Sequence, residues 1–277
     1  MNHNKHRCSG FSLIEMAVVM LIMGSLLSGL LVALTQTTNN TRITTAKTQI
    51  MKIEEALYAF AQSHGRLPCP AAYDTNGMEA VLGDPADGDC TLPHGFVPAA
   101  SLSLYGRINE DGLLLDPWAN PYRYSVAPYE VDGTGNWATA GSGTLAFTNA
   151  NALSQLFGAN PAMADTFKIA DESSTLRVCE DWQSASCSGA TYTQIAPAVV
   201  LSMGRNWTEI NSNCPVSTTN NSEGMNAGTN FHNNEYCLTD NNSFVNAEYN
   251  EQSFDDIVIW LSPYILFNRL IGAQQLP

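Results

Sequence analysis

Apolar residues run through the first quarter of the chain in two different rhythms. Residues 16–34 form an almost unbroken apolar run without a charge. From Ile43 onward, Ile43, Ala46, Ile50, Ile53, Leu57 and Phe60 follow at steps of three and four, while Lys47, Lys52, Glu54, Glu55 and Gln62 lie off that stripe. The first rhythm suits a membrane-spanning helix, because 19 residues rising roughly 1.5 Å each cover about 28 Å, close to the ~30 Å of a bilayer's hydrocarbon core. The second is that of an amphipathic helix with one apolar face. Gly65 supplies a stop and Pro68 blocks continuation, so one helix from Phe11 to about His64 is expected, some 80 Å long. Beyond it, short segments rich in β-branched and aromatic residues and bounded by Gly, Pro, Asn or Asp predict strands at 122–127, 144–148, 175–179, 198–203 and 257–261. Ser262 as N-cap and Pro263 at the first helical position open a last short helix that stops at Gly272. The pattern predicts an α+β fold with an antiparallel sheet.

The flanks of the apolar run give it a direction. Lys5 and Arg7 precede it and the next 34 residues carry no basic side chain, which places the leader in the cytoplasm and the remainder outside. A cleaved secretory signal would need a shorter apolar core and a small-x-small cut site, whereas this core opens on Glu15 and ends in LLVALTQ. A lipoprotein signal needs its cysteine after the apolar run, and Cys8 lies before it. A plain signal anchor fits the hydropathy but leaves Glu15 unexplained, since a carboxylate at the edge of hydrocarbon costs on the order of 2.5 kcal/mol or more without a partner. Gly24 with Ser28, and Ser25 with Gly29, form two overlapping small-xxx-small pairs that permit close helix approach.

Composition narrows the picture further. The 277 residues are 44% hydrophobic and only 14% charged, enough to bury a core, with Asn, Ser and Thr solvating the surface. Twelve Lys+Arg against 26 Asp+Glu give a formal charge of −14, the wrong sign for neutralising phosphates, so no nucleic-acid partner is expected. Cys8 lies in the leader, which leaves Cys69, Cys90, Cys179, Cys187, Cys214 and Cys237. Six thiols allow 15 pairings; the sequence-neighbour set Cys69–Cys90, Cys179–Cys187 and Cys214–Cys237 closes loops short enough for three separate excursions from a sheet. In an oxidising compartment each loop is worth roughly 2–3 kcal/mol. The alternative, a zinc site, lacks any C-x-x-C spacing. The Asn-rich segment 206–250 is a surface loop that Cys214 and Cys237 would staple.

The segment Gly10-Phe11-Ser12-Leu13-Ile14-Glu15, followed by the apolar run, resembles the class III signal of type IV prepilins and type II secretion pseudopilins. KTQIMKIEEALYAFAQSHGRLPCP, DPWANPYRYSV at 116–126 and SFDDIVIWLS at 253–262 resemble further signatures of the pseudopilin group. The resemblance implies a pilin fold, a long N-terminal helix packed on an antiparallel sheet with disulfide-stapled loops. It divides the chain into a cleaved leader (1–10), a membrane and filament-core helix (11–35), the amphipathic half of that helix (36–65) and an outer domain (66–277). It implies a prepilin peptidase that cuts after Gly10 and N-methylates Phe11, and other pilin or pseudopilin subunits as partners. The protein would sit in the inner membrane of a bacterium and then in a pilus or periplasmic filament. Glu15 would pair with the N-terminal amine of a neighbouring subunit. No proline interrupts residues 29–34, where major pilins often carry one. The insertions at 129–176 and 206–254 have no counterpart and would hold any binding specificity. The competing reading is a membrane-tethered adhesin or ligand-binding ectodomain outside any filament.

In those pseudopilins a calcium ion ties the loop after an S-x-G-x-D-G turn to the acidic pair near the C-terminus. Here the turn reads Ser202-Met203-Gly204-Arg205-Asn206-Trp207, with Asn206 for the aspartate and Trp207 for the second glycine. Asp255 and Asp256 would supply hard oxygen ligands together with loop carbonyls; the alternative is a solvated acidic pair beside a strand. Asp84, Asp87 and Asp89 lie in a second acidic loop whose spacing fails the EF-hand pattern and is expected to be a turn. Of the five histidines, His3 and His6 lie in the leader, and His64, His94 and His232 sit in neither H-E-x-x-H nor beside G-x-S-x-G. No phosphate-binding glycine loop occurs, and no enzyme is expected.

Overall fold

The apolar run and the stripe close into one helix, α1 (Leu13–His64), continuous in its backbone through residues 29–34. The structure, a computed structural model, describes residues 12–83, 88–128, 130–131, 144–159, 176–183, 186–205, 226, 231–232, 235–236, 242–250 and 254–276. Of these, only the backbone is described for 27–36, 131, 144, 155–159, 182–183, 186, 188, 231–232 and 235–236. The chain divides into two compact units, Met1–Thr45 and Ala46–Pro277. The first takes in the beginning of α1; the second holds the rest of α1 and the strands and helices that follow it.

In the second unit the apolar stripe is the helix's buried face: Ala46, Ile50, Ile53 and Leu57 are fully buried and Phe60 nearly so. Each large side chain removed from water this way contributes roughly 1.5–3 kcal/mol. Gly65 ends the helix in the left-handed region at φ +70, donating its N–H to Ala61 O, a conformation that costs a glycine little.

The outer domain is built on β1 (His94–Phe96), β2 (Arg123–Val126), β3 (Glu130–Val131), β4 (Thr144–Leu145), α2 (Ala150–Ala159), β5 (Leu176–Gln183), β6 (Ser186–Ala196), β7 (Ala198–Ser202), β8 (Phe231–His232), β9 (Glu235–Tyr236), β10 (Ser243–Val245), β11 (Ile257–Trp260) and α3 (Pro263–Gly272). The main sheet has the order β1-β2-β7-β11, antiparallel throughout. Strand alternation sends Tyr122 and Tyr124 to one face and Arg123 and Ser125 to the other. The Tyr122 hydroxyl donates to Gln49 of α1 at 3.1 Å and the Tyr124 hydroxyl to Pro68 O at 3.1 Å, tying the helix and its exit to the sheet.

Beside the antiparallel sheet that the sequence predicts stands a second sheet, β10-β5-β6, with one parallel pair. Its β5–β6 pair is antiparallel and interrupted by bulges, but β10 runs parallel to β5. Parallel neighbours need a long return path, and the chain between β5 and β10 supplies it. Pro197, lacking an N–H, separates β6 of this sheet from β7 of the main one. His94 joins the sheets: its ring bonds Ser125 Oγ at 2.9 Å across β1–β2 and the side chain of Asn242, next to β10.

Helix α2 starts at an Asn149 cap, whose Oδ1 accepts the Ala152 N–H at 2.9 Å. Helix α3 buries Pro263, Leu266, Phe267 and Leu270. Ser262 holds the N-cap position of α3 but makes no side-chain cap bond; its own N–H is taken by the Tyr58 hydroxyl of α1 at 3.0 Å. The helix ends at Gly272 as expected, and Gln274 beyond it carries a positive φ, at 60. Arg269 of α3 forks onto Glu55 at 2.9 Å and lies 4.7 Å over the Tyr58 ring.

Candidate assembly site

The N-terminal end of α1 holds the residues from which the sequence leads one to expect processing and assembly. Gly10 and Phe11 lie outside the described residues. Ser12 stands at the N-cap and Glu15 three positions on, and the Ser12 N–H donates to Glu15 Oε2 at 2.9 Å. That contact is half of a capping box. Sequence reasoning left Glu15 without a partner inside its own chain, although the S-x-x-E spacing was there to be seen. The bond satisfies one of the helix's free N–H groups and holds a negative charge at the positive end of the helix dipole.

Around this cap the helix is bare. Leu13 and Leu21 are 91% and 74% exposed, and Ile14, Met16, Val18, Val19, Met20, Ile22, Met23 and Leu26 are about half exposed or more. A helix apolar on every side requires lipid or other protein around it. Gly24 opens onto free space, with nothing within 4 Å of where a side chain would begin. Ser25 turns its hydroxyl back to Ile22 O at 2.8 Å, while the side chains of Ser28 and Gly29's neighbours lie outside the described set. Among the described residues no helix is long and apolar enough to cross a membrane. The side chains of 27–36 fall outside those residues, so the described part of the apolar run reaches only Leu26, about 16 Å at ~1.5 Å per residue. Past it, Thr41, Thr44 and Thr45 bond their hydroxyls to carbonyls four residues back, satisfying polar groups within a solvated stretch of helix.

In the outer domain Cys69–Cys90 and Cys179–Cys187 are disulfides; Cys214 and Cys237 lie outside the described residues. Beside the first, Arg66 forks onto Glu79 at 2.8 and 3.0 Å, and Glu79 also accepts the Cys69 N–H at 3.0 Å. Of the acidic loop, Asp84 and Asp87 lie outside the described residues. Asp89 accepts from Asn149 at 3.0 Å, and its carbonyl accepts the Leu82 N–H.

Asp255 and Asp256, just before β11, are 1% and 4% exposed, which corrects the alternative of a solvated pair. Asp255 Oδ2 accepts the Arg205 N–H at 2.7 Å, and Asp256 Oδ2 accepts from the Asn226 side chain at 2.8 Å. The Asn226 amide also pairs with the Val245 backbone, accepting its N–H at 2.7 Å and donating to its carbonyl at 2.9 Å. Gly204 has φ +65, and a side chain there would run into the Asp255 carboxylate. Nearby Asp116 accepts from the Ser202 hydroxyl at 2.6 Å and from the Trp118 and Asn120 N–H groups at 2.9 Å, while Asn120 donates to Gly204 O. Burial raises the Asp116 pKa, its hydrogen bonds oppose that, and the charge of Asp255 adds to it. Arg123 is buried under Phe96, 5.2 Å from the ring centroid; burial pulls its pKa down to about 9, while Tyr73 and Asp256 oppose the fall, so it stays charged at neutral pH. The Arg205 N–H and the Asn226 side-chain amide each take one oxygen of the two carboxylates, and Asn206 and Trp207 of the implied calcium turn lie outside the described residues. Among the described residues no three of His, Cys, Asp and Glu converge as a metal-binding group.

A scan against protein-family models matches residues 5–31 to the prokaryotic N-terminal methylation motif. No curated protein matches the chain, and no solved structure does. The match spans Gly10, Phe11 and Glu15 together with most of the bare apolar segment, and the chain therefore carries a prokaryotic N-terminal methylation motif, which supports the resemblance to type IV pilins and pseudopilins.

Proposed function

We propose that this chain is a structural subunit, a minor pilin or pseudopilin, held in the bacterial inner membrane by the start of α1 and then drawn into a helical filament of a type IV pilus or type II secretion system. One observation carries the reading: the capped Glu15 sits on a helix that is apolar on all sides and passes without a break into the buried stripe of the outer domain. In the proposed filament the apolar segments bundle, each Glu15 facing the N-methylated Phe11 amine of a neighbour. A charge pair of this kind sets register more than it adds stability. The peptidase acts on the chain after Gly10, and the chain itself performs no chemistry.

The test is mass spectrometry of the N-terminus from cells with and without prepilin peptidase. The expected product is a chain beginning at methylated Phe11 in the first and retaining the leader in the second. An intact leader in both would replace this reading with a tethered ectodomain outside any filament.

A further inference from the structure

We infer that the free edge of β11 is a docking slot for an extended peptide segment of a partner chain, which joins the main sheet as a further strand and presents an acidic side chain to Lys47. The register carries the argument. Phe96, Arg123, Leu201 and Val258 form one row across the four strands. Bonded and non-bonded positions alternate along an antiparallel pair. The Leu261 N–H donates to Ala198 O, so Ile259 and Ile257 are the bonded positions toward β7, and the N–H and C=O of Val258 and Trp260 point away from it. The same alternation turns Phe96 outward at the other end of the row, and there the chain closes its own sheet: Phe96 and Ala71 exchange bonds at 2.9 and 2.8 Å. Among the described residues no segment does this for Val258. An open edge is a template for another strand, and β11, Ile-Val-Ile-Trp, has no Lys or Pro to discourage pairing.

Beside that edge lies a slot of about 350 Å³, walled by Ile50 and Met51 of α1, by Ala247 and Tyr249 after β10, and by β11 itself. Tyr124, Val200 and Ile259 share a second row, and Tyr122, on the face of Tyr124, bonds Gln49 of α1. Ile257 and Ile259 therefore turn to the α1 side and make the slot apolar there, as alternate side chains of an added strand require. Two charged residues also line it. Asp256 is 4% exposed and accepts from Asn226, whereas Lys47 is exposed and makes no ion pair among the described residues. An extended peptide answers all three features at once: its backbone meets Val258, its alternate apolar residues fill the slot, and its Asp or Glu meets Lys47. A purely aliphatic ligand would leave the Val258 N–H and C=O and the Lys47 charge unanswered.

The experiment uses the full-length chain in lipid nanodiscs, titrated onto a fluorescein-labelled peptide amide, Thr-Val-Thr-Val-Glu-Val, with binding read by fluorescence polarisation. The expected result is saturable binding with Kd below ~1 mM and slower deuterium uptake over residues 256–261. The same peptide N-methylated at alternate amides cannot pair its backbone and should bind at least about tenfold more weakly. Lys47→Glu should weaken the peptide at least about threefold and favour a version with Lys in place of its Glu. Met51→Trp, at an exposed position, should fold and narrow the slot, abolishing binding; if it does not fold, Lys47→Glu and the N-methylated peptide decide. Absence of saturable binding overturns the inference, and so does equal binding of the N-methylated peptide or an unchanged charge preference in Lys47→Glu. Cross-linked dimers of the wild-type chain that Met51→Trp removes would also overturn it, by giving the slot to a second copy.

Discussion

The Ser12 N–H and the Glu15 carboxylate meet at 2.9 Å within one chain, so the acidic side chain at the edge of the apolar run has a structural duty before any neighbour arrives. Two roles are thereby superposed on Glu15, helix cap and bearer of charge, and substitutions separate them. Glu15→Gln keeps an acceptor oxygen for the Ser12 N–H but removes the charge, whereas Glu15→Ala removes both. If assembly depends on the charge, filament incorporation, read by immunoblot of sheared filaments, falls about tenfold in both variants, equivalent to ~1.4 kcal/mol. Normal incorporation of Glu15→Gln would leave only the cap as the function of Glu15.

Leu57 tests the seating of α1. It is fully buried in the middle of the stripe, so Leu57→Ala should cost about 2–5 kcal/mol through lost burial and the cavity left behind. Denaturant unfolding of the purified chain should show a lower midpoint. The exposed Met51 on the same helix should tolerate Met51→Ala within about 0.5 kcal/mol.

The Cys69–Cys90 loop spans 21 residues, and closing a loop of this size stabilises a fold by about 2–4 kcal/mol. Replacing both cysteines by serine should lower Tm and speed proteolysis between Leu67 and Thr91. The Arg66–Glu79 pair, at 4% and 12% side-chain exposure, holds the same region and should keep it from opening fully. Arg66→Ala added to the double serine variant should therefore cost more than the two changes measured apart, because both close one loop.

His94 gives the outer domain an acid-sensitive joint. Burial lowers its pKa from 6.5 to about 4, while the Asn242 contact opposes the shift. The unfolded chain protonates first as pH falls, so stability present above 6.5 is lost progressively as pH falls toward 4. The loss amounts to at most about 3 kcal/mol. His94→Gln should flatten the Tm profile over that window without changing the profile above pH 7. A wild-type profile already flat between pH 6.5 and 4 would count against this role.

Much of the architecture is legible in local spacing. The steps of three and four from Ile43 to Phe60 mark the buried face of α1, and Gly65 marks its end. The strands at Arg123–Val126, Ala198–Ser202 and Ile257–Trp260 fall inside segments whose β-branched and aromatic residues predict them. Strand β6 (Ser186–Ala196) escaped because its Ser, Thr and Gly residues carry little apolar alternation; its pairing with β5 sustains it. Helix α2 escaped although Asn149 is a standard N-cap residue, since the Gly- and Asn-rich sequence before it reads as loop.

The sequence by itself determined where the chain is apolar on all sides, where only one face is apolar, and where a leader and a lone glutamate flank the first of these, because such patterns depend on neighbours a few residues apart. Only the tertiary structure decided that β10 runs parallel to β5 and that Asp255 and Asp256 are buried. Those relations join residues far apart in the sequence, and their energies depend on burial and on the direction of each side chain across a strand. No local spacing encodes either quantity.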